Sequence, residues 1–148
     1  DGVMPQTLEG RTIVAGFARA PALVGQKPFM LAYGIDPKSG RVIDQRHDLY
    51  GQSVRGRVLL FPHGKGPTSG SMWLLETIRR GNGPAAILNR ESDANVSTGL
   101  ILSELFYRRK IPSLDRLTPD PFNVIRTGDV VEVDAVRSRV RVWPRSAK

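Results

Sequence analysis

With 148 residues, 40% of them hydrophobic and 24% charged, the chain has the size and composition of one globular domain able to bury a core. It contains no cysteine, which excludes disulfides, thiolate catalysis and an iron–sulfur cluster held by its own sulfurs, and its two histidines, His47 and His63, make no metal site without carboxylates or a partner. The formal charge of +8 is spread along the chain, with small clusters at Arg79-Arg80 and Arg108-Arg109-Lys110 that close predicted helices, where cations meet the negative end of the helix dipole.

In chain order, the first sixty residues read as β. Residues 11–18, 28–33, 40–43 and 57–61 are short apolar or alternating runs separated by glycine and proline. Asp36-Pro37-Lys38-Ser39-Gly40 is turn chemistry, since proline presets φ and glycine accepts a positive φ. Residues 57–61 are apolar after Arg57 and predict a strand buried on both faces. Two helices follow. The first carries Leu74, Leu75 and Ile78 on one face, with Gly81 closing it. The second spans about residues 95–109, with Ile101, Leu102 and Leu105 predicted inward and Ile111-Pro112 ending it. Residues 85–88 form a short strand between them, so strand, helix, strand, helix predicts a parallel portion. Residues 118–122 are the most loop-like connector, and 129–134 and 138–143 return to β. Arg139-Val140-Arg141-Val142-Trp143 alternates as a strand with one wet face does. The predicted fold class is mixed α/β: one domain over residues 1–148, β-rich at both ends, with two main helices.

No run approaches the ~20 apolar residues that span a bilayer, and there is no charged-then-apolar leader. The chain begins at Asp1 rather than at methionine, as a segment of a longer polypeptide would, and the lack of cysteine is compatible with a cytoplasmic setting. No nucleic-acid-binding signature accompanies the charge.

The segment best placed for chemistry is Pro62-His63-Gly64-Lys65-Gly66-Pro67-Thr68-Ser69-Gly70-Ser71, which joins the buried strand to the first helix. In open α/β sheets ligands bind beyond the carboxyl ends of strands, and a helix N-terminus offers free N–H groups to an anion. Gly64, Gly66 and Gly70 let backbone amides approach a ligand, and Lys65 adds a charge suited to phosphate or carboxylate. The plainer account is a tight turn with Thr68 or Ser69 capping the helix. The Gly-Lys-Ser/Thr ending of a P-loop is absent, because Gly66 follows Lys65.

Three stretches resemble the small subunit, or swivel domain, of the aconitase X hydro-lyases. They are Gly34-Ile35-Asp36-Pro37-Lys38-Ser39-Gly40-Arg41-Val42-Ile43-Asp44, Gly56-Arg57-Val58-Leu59-Leu60-Phe61-Pro62-His63-Gly64-Lys65-Gly66, and Arg80-Gly81-Asn82-Gly83-Pro84-Ala85-Ala86-Ile87. Asp48-Leu49-Tyr50-Gly51-Gln52-Ser53 and Thr127-Gly128-Asp129-Val130-Val131-Glu132-Val133-Asp134 also fit. The resemblance implies a swivelling β/β/α domain that closes onto a large subunit or domain. That large part would hold an iron or iron–sulfur centre through cysteines, with no cofactor in this chain. The family's activities are dehydrations of small anionic hydroxy acids, mevalonate 5-phosphate or cis-3-hydroxy-L-proline. In aconitase-like sites a loop serine takes the proton while the metal acts on the leaving hydroxyl.

One position departs from the family pattern Gly-Lys/Arg-Gly-Ser-x-x-Gly-Ser. Pro67 stands at the first serine, whereas Ser71 matches the second. Ser71, Ser69 and Thr68 are therefore the candidate bases, with Ser71 slightly preferred, and His63, Gly64, Lys65, Gly66, Gly70 and Asn89 the candidate substrate contacts. Ser71 also precedes Leu74, Leu75 and Ile78 at helical spacing and fits a small core residue equally well. Asn89, Arg90 and Glu91 follow a strand at its carboxyl end, and Trp73 and Trp143 read as packing residues. The competing account is a non-catalytic anion-binding swivel domain that lost its base with Pro67. A basic nucleic-acid-binding domain, suggested by net charge alone, is the third.

Overall fold

The computed structural model describes residues 3–145. In chain order the elements are β1 (Gln6–Val14), β2 (Phe17–Val24), β3 (Phe29–Met30), β4 (Val58–Phe61), β5 (Gly64–Lys65), α1 (Gly70–Arg79), β6 (Ala86–Asn89), α2 (Ala94–Tyr107), β7 (Ser113–Thr118), α3 (Pro121–Val124), β8 (Val130–Asp134) and β9 (Arg139–Trp143). Seven of the strands close into a barrel in the order β1-β7-β6-β4-β2-β8-β9, and β3 pairs with β5 beside it. The run β2-β4-β6-β7 is parallel, and the other barrel pairings are antiparallel.

β4 shows why its sequence is so apolar. Val58 and Leu60 point into the barrel with Ala22, Leu88 and Val131, whereas Leu59 and Phe61 point outward into a second core beneath the helices, with Leu74, Val96 and Leu100. Both faces are therefore dry, as a central parallel strand requires. On β9 the alternation also holds, since Val140 and Val142 are buried while Arg139, Arg141 and Trp143 keep some exposure. Closure of the sheet was not part of the sequence expectation, and it removes the free edges that an open mixed sheet would leave.

The first helix matches expectation on its buried face, Leu74, Leu75 and Ile78. Its terminal arginines do more than face a dipole: Arg79 and Arg80 both reach the Glu76 carboxylate at 2.7 Å, which holds it down at about 2. The second helix corrects the expected face. Ile101 and Leu105 are exposed, and the buried set is Asn95, Val96, Gly99, Leu100 and Ser103. The cause is the close approach of α1, because a Cβ on Gly99 would lie 2.9 Å from Leu74 Cδ2 and 3.1 Å from the Ser71 carbonyl oxygen. Small residues mark that contact, so hydrophobicity alone pointed to the wrong stripe. α2 ends at Tyr107, before the expected Ile111-Pro112, with Arg108 in the left-handed region.

Other boundaries move as well. Residues 11–18 divide into the end of β1 and the start of β2 around Ala15-Gly16. Residues 40–43 make only isolated bridges, Ile35 with Val42 and Arg41 with Ser53. Residues 118–122 run from the end of β7 into a short third helix, α3, capped by Asp120 through the Phe122 N–H at 3.0 Å, so the described residues add one four-residue helix to the two main ones. Strand β7 has no readable apolar signal, because Pro112 precedes it and four of its six side chains, Ser113, Asp115, Arg116 and Thr118, are charged or polar. No helix among the described residues is long and apolar enough to cross a membrane.

Candidate functional site

β4 delivers the chain to Pro62 at its carboxyl end, and the loop that follows is tied down on two sides. On one side β5 lies parallel to β3, with Gly64 opposite Phe29 and Lys65 opposite Met30, and the Phe29 N–H donates to the His63 carbonyl at 3.0 Å. On the other side stands the N-terminus of α2. Asp93 caps that helix by accepting from the Asn95 N–H at 3.3 Å and also accepts from the Gly64 N–H at 3.2 Å. Asn95 sends its side-chain amide to the Pro67 carbonyl at 3.0 Å, an oxygen that also takes the Gly70 N–H at 3.0 Å. This pinning explains two glycines. A Cβ on Gly64 would sit 2.6 Å from Asp93 Oδ1, and Gly66 has φ +92 with its missing Cβ 2.9 Å from Met30 Cγ.

The candidate bases differ in surroundings. Ser71 is buried at 9% exposure, and its hydroxyl donates to the Thr68 carbonyl at 2.9 Å. Thr68 and Ser69 are exposed, and Ser69 occupies the N-cap position of α1 in helical geometry without a side-chain capping bond. The expected cap is thus filled in position but not in chemistry. Pro67, Lys65 and Gly66 are exposed too, whereas Gly70 is buried against Asn95 and Leu31. His63 is exposed and donates from Nδ1 to the Gly64 carbonyl at 2.8 Å.

Asn89 does not join this group. Its side chain is fully buried, donating to the Phe61 carbonyl at 3.0 Å across the β4–β6 pair, and its Oδ1 has no partner. A side chain turned into the core to bridge two strands is not available to substrate, so the expected contact is withdrawn. Its neighbours form surface ion pairs: Arg90 with Asp120 at 3.1 Å, and Glu91 with Arg116 at 2.9 Å. Trp73 packs on Tyr33 at 4.6 Å and Trp143 lies under Arg19 at 4.4 Å, as packing residues do.

Three supporting residues escaped the sequence reading. Asp93 and Asn95 hold the loop, and Asp115 holds Asp93's own turn. The Asp115 side chain is fully buried, accepting from Arg11 at 2.9 and 2.7 Å and from the Ser92 N–H at 2.8 Å. Burial alone would raise its pKa, but the Arg11 guanidinium and the Ser92 amide outweigh burial and keep it below the usual carboxylate range. Asp93 directly before a helix was a readable N-cap signal. Nothing in the linear sequence pairs Arg11 with Asp115. Among the described residues no three or more His, Asp or Glu side chains gather as ligands for a metal ion.

Comparison with known proteins adds a second line. A family model described as the aconitase X swivel domain matches residues 7–142. The phosphomevalonate dehydratase small subunit of Methanosarcina acetivorans is 37% identical over 147 residues, covering 99% of this chain and 98% of the relative. That of Methanocella arvoryzae is 40% identical over 127 residues, covering 86% and 92%. Among solved structures, aconitase X of Thermococcus kodakaraensis in its holo-form superposes with a TM-score of 0.85 at 36% identity, covering 94% of this chain and 99% of that one.

Proposed function

This chain belongs to the aconitase X swivel family, and on that basis we propose that it is the small, swivelling part of a hydro-lyase that removes water from phosphomevalonate. The observation that carries the reading is the end-to-end match to relatives named phosphomevalonate dehydratase small subunit, with nearly the whole of each chain aligned. The loop of residues 62–71 at the carboxyl end of β4 is the part that meets the substrate, across a joint with a large partner. A cytoplasmic location goes with this reading.

The iron centre implied by the family does not fit this chain's own residues, which include no cysteine and, where described, no convergent ligand group. It is assigned to the large part, and no step is routed through it. What this chain contributes is position, exclusion of water and a proton acceptor. Of the three hydroxyls, the geometry favours Ser69. It is exposed and unengaged at the start of α1, where the helix N-terminus favours negative charge. Ser71 would hold an alkoxide 2.9 Å from the Thr68 carbonyl oxygen, an unfavourable pairing of two negative ends. The order suggested by the family pattern, Ser71 before Ser69, is therefore inverted. Lys65 and the loop amides supply compensating charge.

The test is co-expression with the cognate large part, followed by incubation with phosphomevalonate and detection of a product lighter by one water. Turnover of cis-3-hydroxy-L-proline in its place would move the substrate assignment and keep the reaction class. An assembled, iron-loaded complex that dehydrates neither compound would refute the proposal.

A further inference from the structure

Beside the loop lies a cleft of ≈ 470 Å³, a size that suits a small phosphorylated acid, walled by Lys27, Arg46 and Lys65. It is continuous with the candidate site, because Lys65 belongs to the loop and Met30, which also lines the cleft, packs against Gly66. Its floor is rigid. His47 is buried and stacks on Phe29 at 4.2 Å, and both ring nitrogens are in use: Nδ1 accepts from the Leu49 N–H at 3.0 Å, which leaves Nε2 to donate to the Lys27 carbonyl at 3.1 Å. Lys27 Nζ donates to the Arg46 carbonyl at 3.1 Å, tying one wall to the other.

The charges facing this space do not cancel. Asp44 is the carboxylate in the lining, 3.6 Å from Arg46 Nε, and its Oδ1 also accepts the Arg46 N–H at 3.0 Å. Asp48, next to His47, spends its oxygens on the N–H groups of Gln26 and Lys27, at 2.8 and 3.3 Å. Three cations against two carboxylates leave positive charge over, and the Arg46 side chain is 87% exposed, so its guanidinium fork is open to a ligand. Arginine pairs bidentately with phosphate, and lysine contributes as a point charge.

We propose that this cleft seats the phosphate end of the substrate, with Lys27, Arg46 and Lys65 as its cationic contacts and the neighbouring loop at the reacting end. The inference rests on the phosphomevalonate reading above and deepens it, since a hydroxyproline has no phosphate for such a cleft to hold.

The experiment uses the assembled complex with Lys27→Gln, Arg46→Gln and a control, Lys110→Gln, which removes the same charge in a different cleft beside Ile78 and Ile111. Initial rates with phosphomevalonate and inhibition by inorganic phosphate are measured for each. Loss of a charge-assisted contact that is equal in ground and transition states raises KM by about tenfold and leaves kcat within about twofold. Inhibition by inorganic phosphate should weaken by a similar factor in the two cleft variants and stay unchanged in Lys110→Gln. Wild-type turnover with unaltered KM in Lys27→Gln and Arg46→Gln, or a fall in kcat alone, overturns the cleft assignment. A wild-type complex that does not turn over phosphomevalonate overturns the parent reading, and this inference with it.

Discussion

Asp93 offers a clean separation of helix stability from loop placement, because its two oxygens do different jobs. In Asp93→Ala the cap of α2 is lost, a cost of about 1 kcal/mol. The buried Gly64 N–H also loses its acceptor, which adds about 1–2 kcal/mol. The combined loss of about 2–3 kcal/mol lowers Tm by roughly 4–12 °C for a chain of this length, read by circular dichroism. Asp93→Ser distinguishes the two components. Serine restores a competent cap but has a shorter side chain that does not reach Gly64, so about 1 kcal/mol returns while the loop stays released. Dehydration by the complex should therefore remain depressed in Asp93→Ser although most of the cap energy is regained. The reasoning fails if Asp93→Ala costs less than about 0.5 kcal/mol, or if Asp93→Ser restores activity as fully as stability.

Arg11→Met should lower the midpoint of denaturant titration, because it leaves the buried Asp115 carboxylate without its cation; the loss is smaller than for a fully buried pair, since the Arg11 side chain is 46% exposed. The Asp115 carboxyl is lowered on folding, so its contribution is complete above the unfolded value of ~3.9 and is lost as pH falls through the lower folded value. Asp115→Asn should flatten that acid limb, and an unchanged limb would remove Asp115 as its source. Ser69→Ala should lower turnover by at least ~10²-fold with the fold intact, while Ser71→Ala stays within about tenfold; the reverse pattern returns the proton to Ser71. Pro67→Ser, at an exposed position, should be tolerated or raise activity, as restoring the family serine predicts. Adding the large part should slow hydrogen exchange over residues 62–72, and unchanged exchange in a formed complex would count against docking through this loop.

What the sequence disclosed depended on whether the signal was local. The double-sided burial of Val58–Phe61 and the alternation on Arg139–Trp143 were legible because each strand's own residues report its environment. The inward face of α2 was not, because Gly99 is buried by what α1 brings to it, and Ser103 is buried with its hydroxyl on the Leu100 and Arg109 carbonyls, neither by its own hydrophobicity. β7 was hidden for a related reason: buried Asp115 is satisfied inside its strand by Arg11, 104 residues away, and by the Ser92 N–H. At the loop, His63, Gly64, Lys65 and Gly66 could be singled out from spacing and family pattern. Which hydroxyl is free could not, since it turns on whether Ser71 reaches the Thr68 carbonyl.

The same long-range contacts bear on how a swivelling domain can do chemistry at all. Arg11 on β1 grips Asp115 on β7, Asp115 holds the Ser92 N–H, and the adjoining Asp93 holds Gly64. Asn95, two residues further, secures Pro67. Each support ends on the barrel or on a helix packed against it, so Gly64 and Pro67 are tied to the barrel at both ends of the exposed stretch between them. A proton acceptor has to stand within ~3 Å of its target, and a misplacement of 1 Å costs on the order of a hundredfold. If the loop were free, closing onto the partner would have to order it anew on every cycle. With the loop tied down in this way, a site carried on it would move as a preformed body, and the cost of ordering would be met when the chain folds. On the proposed reading, a glycine-rich loop, so often taken as flexible, would serve by being held at both ends.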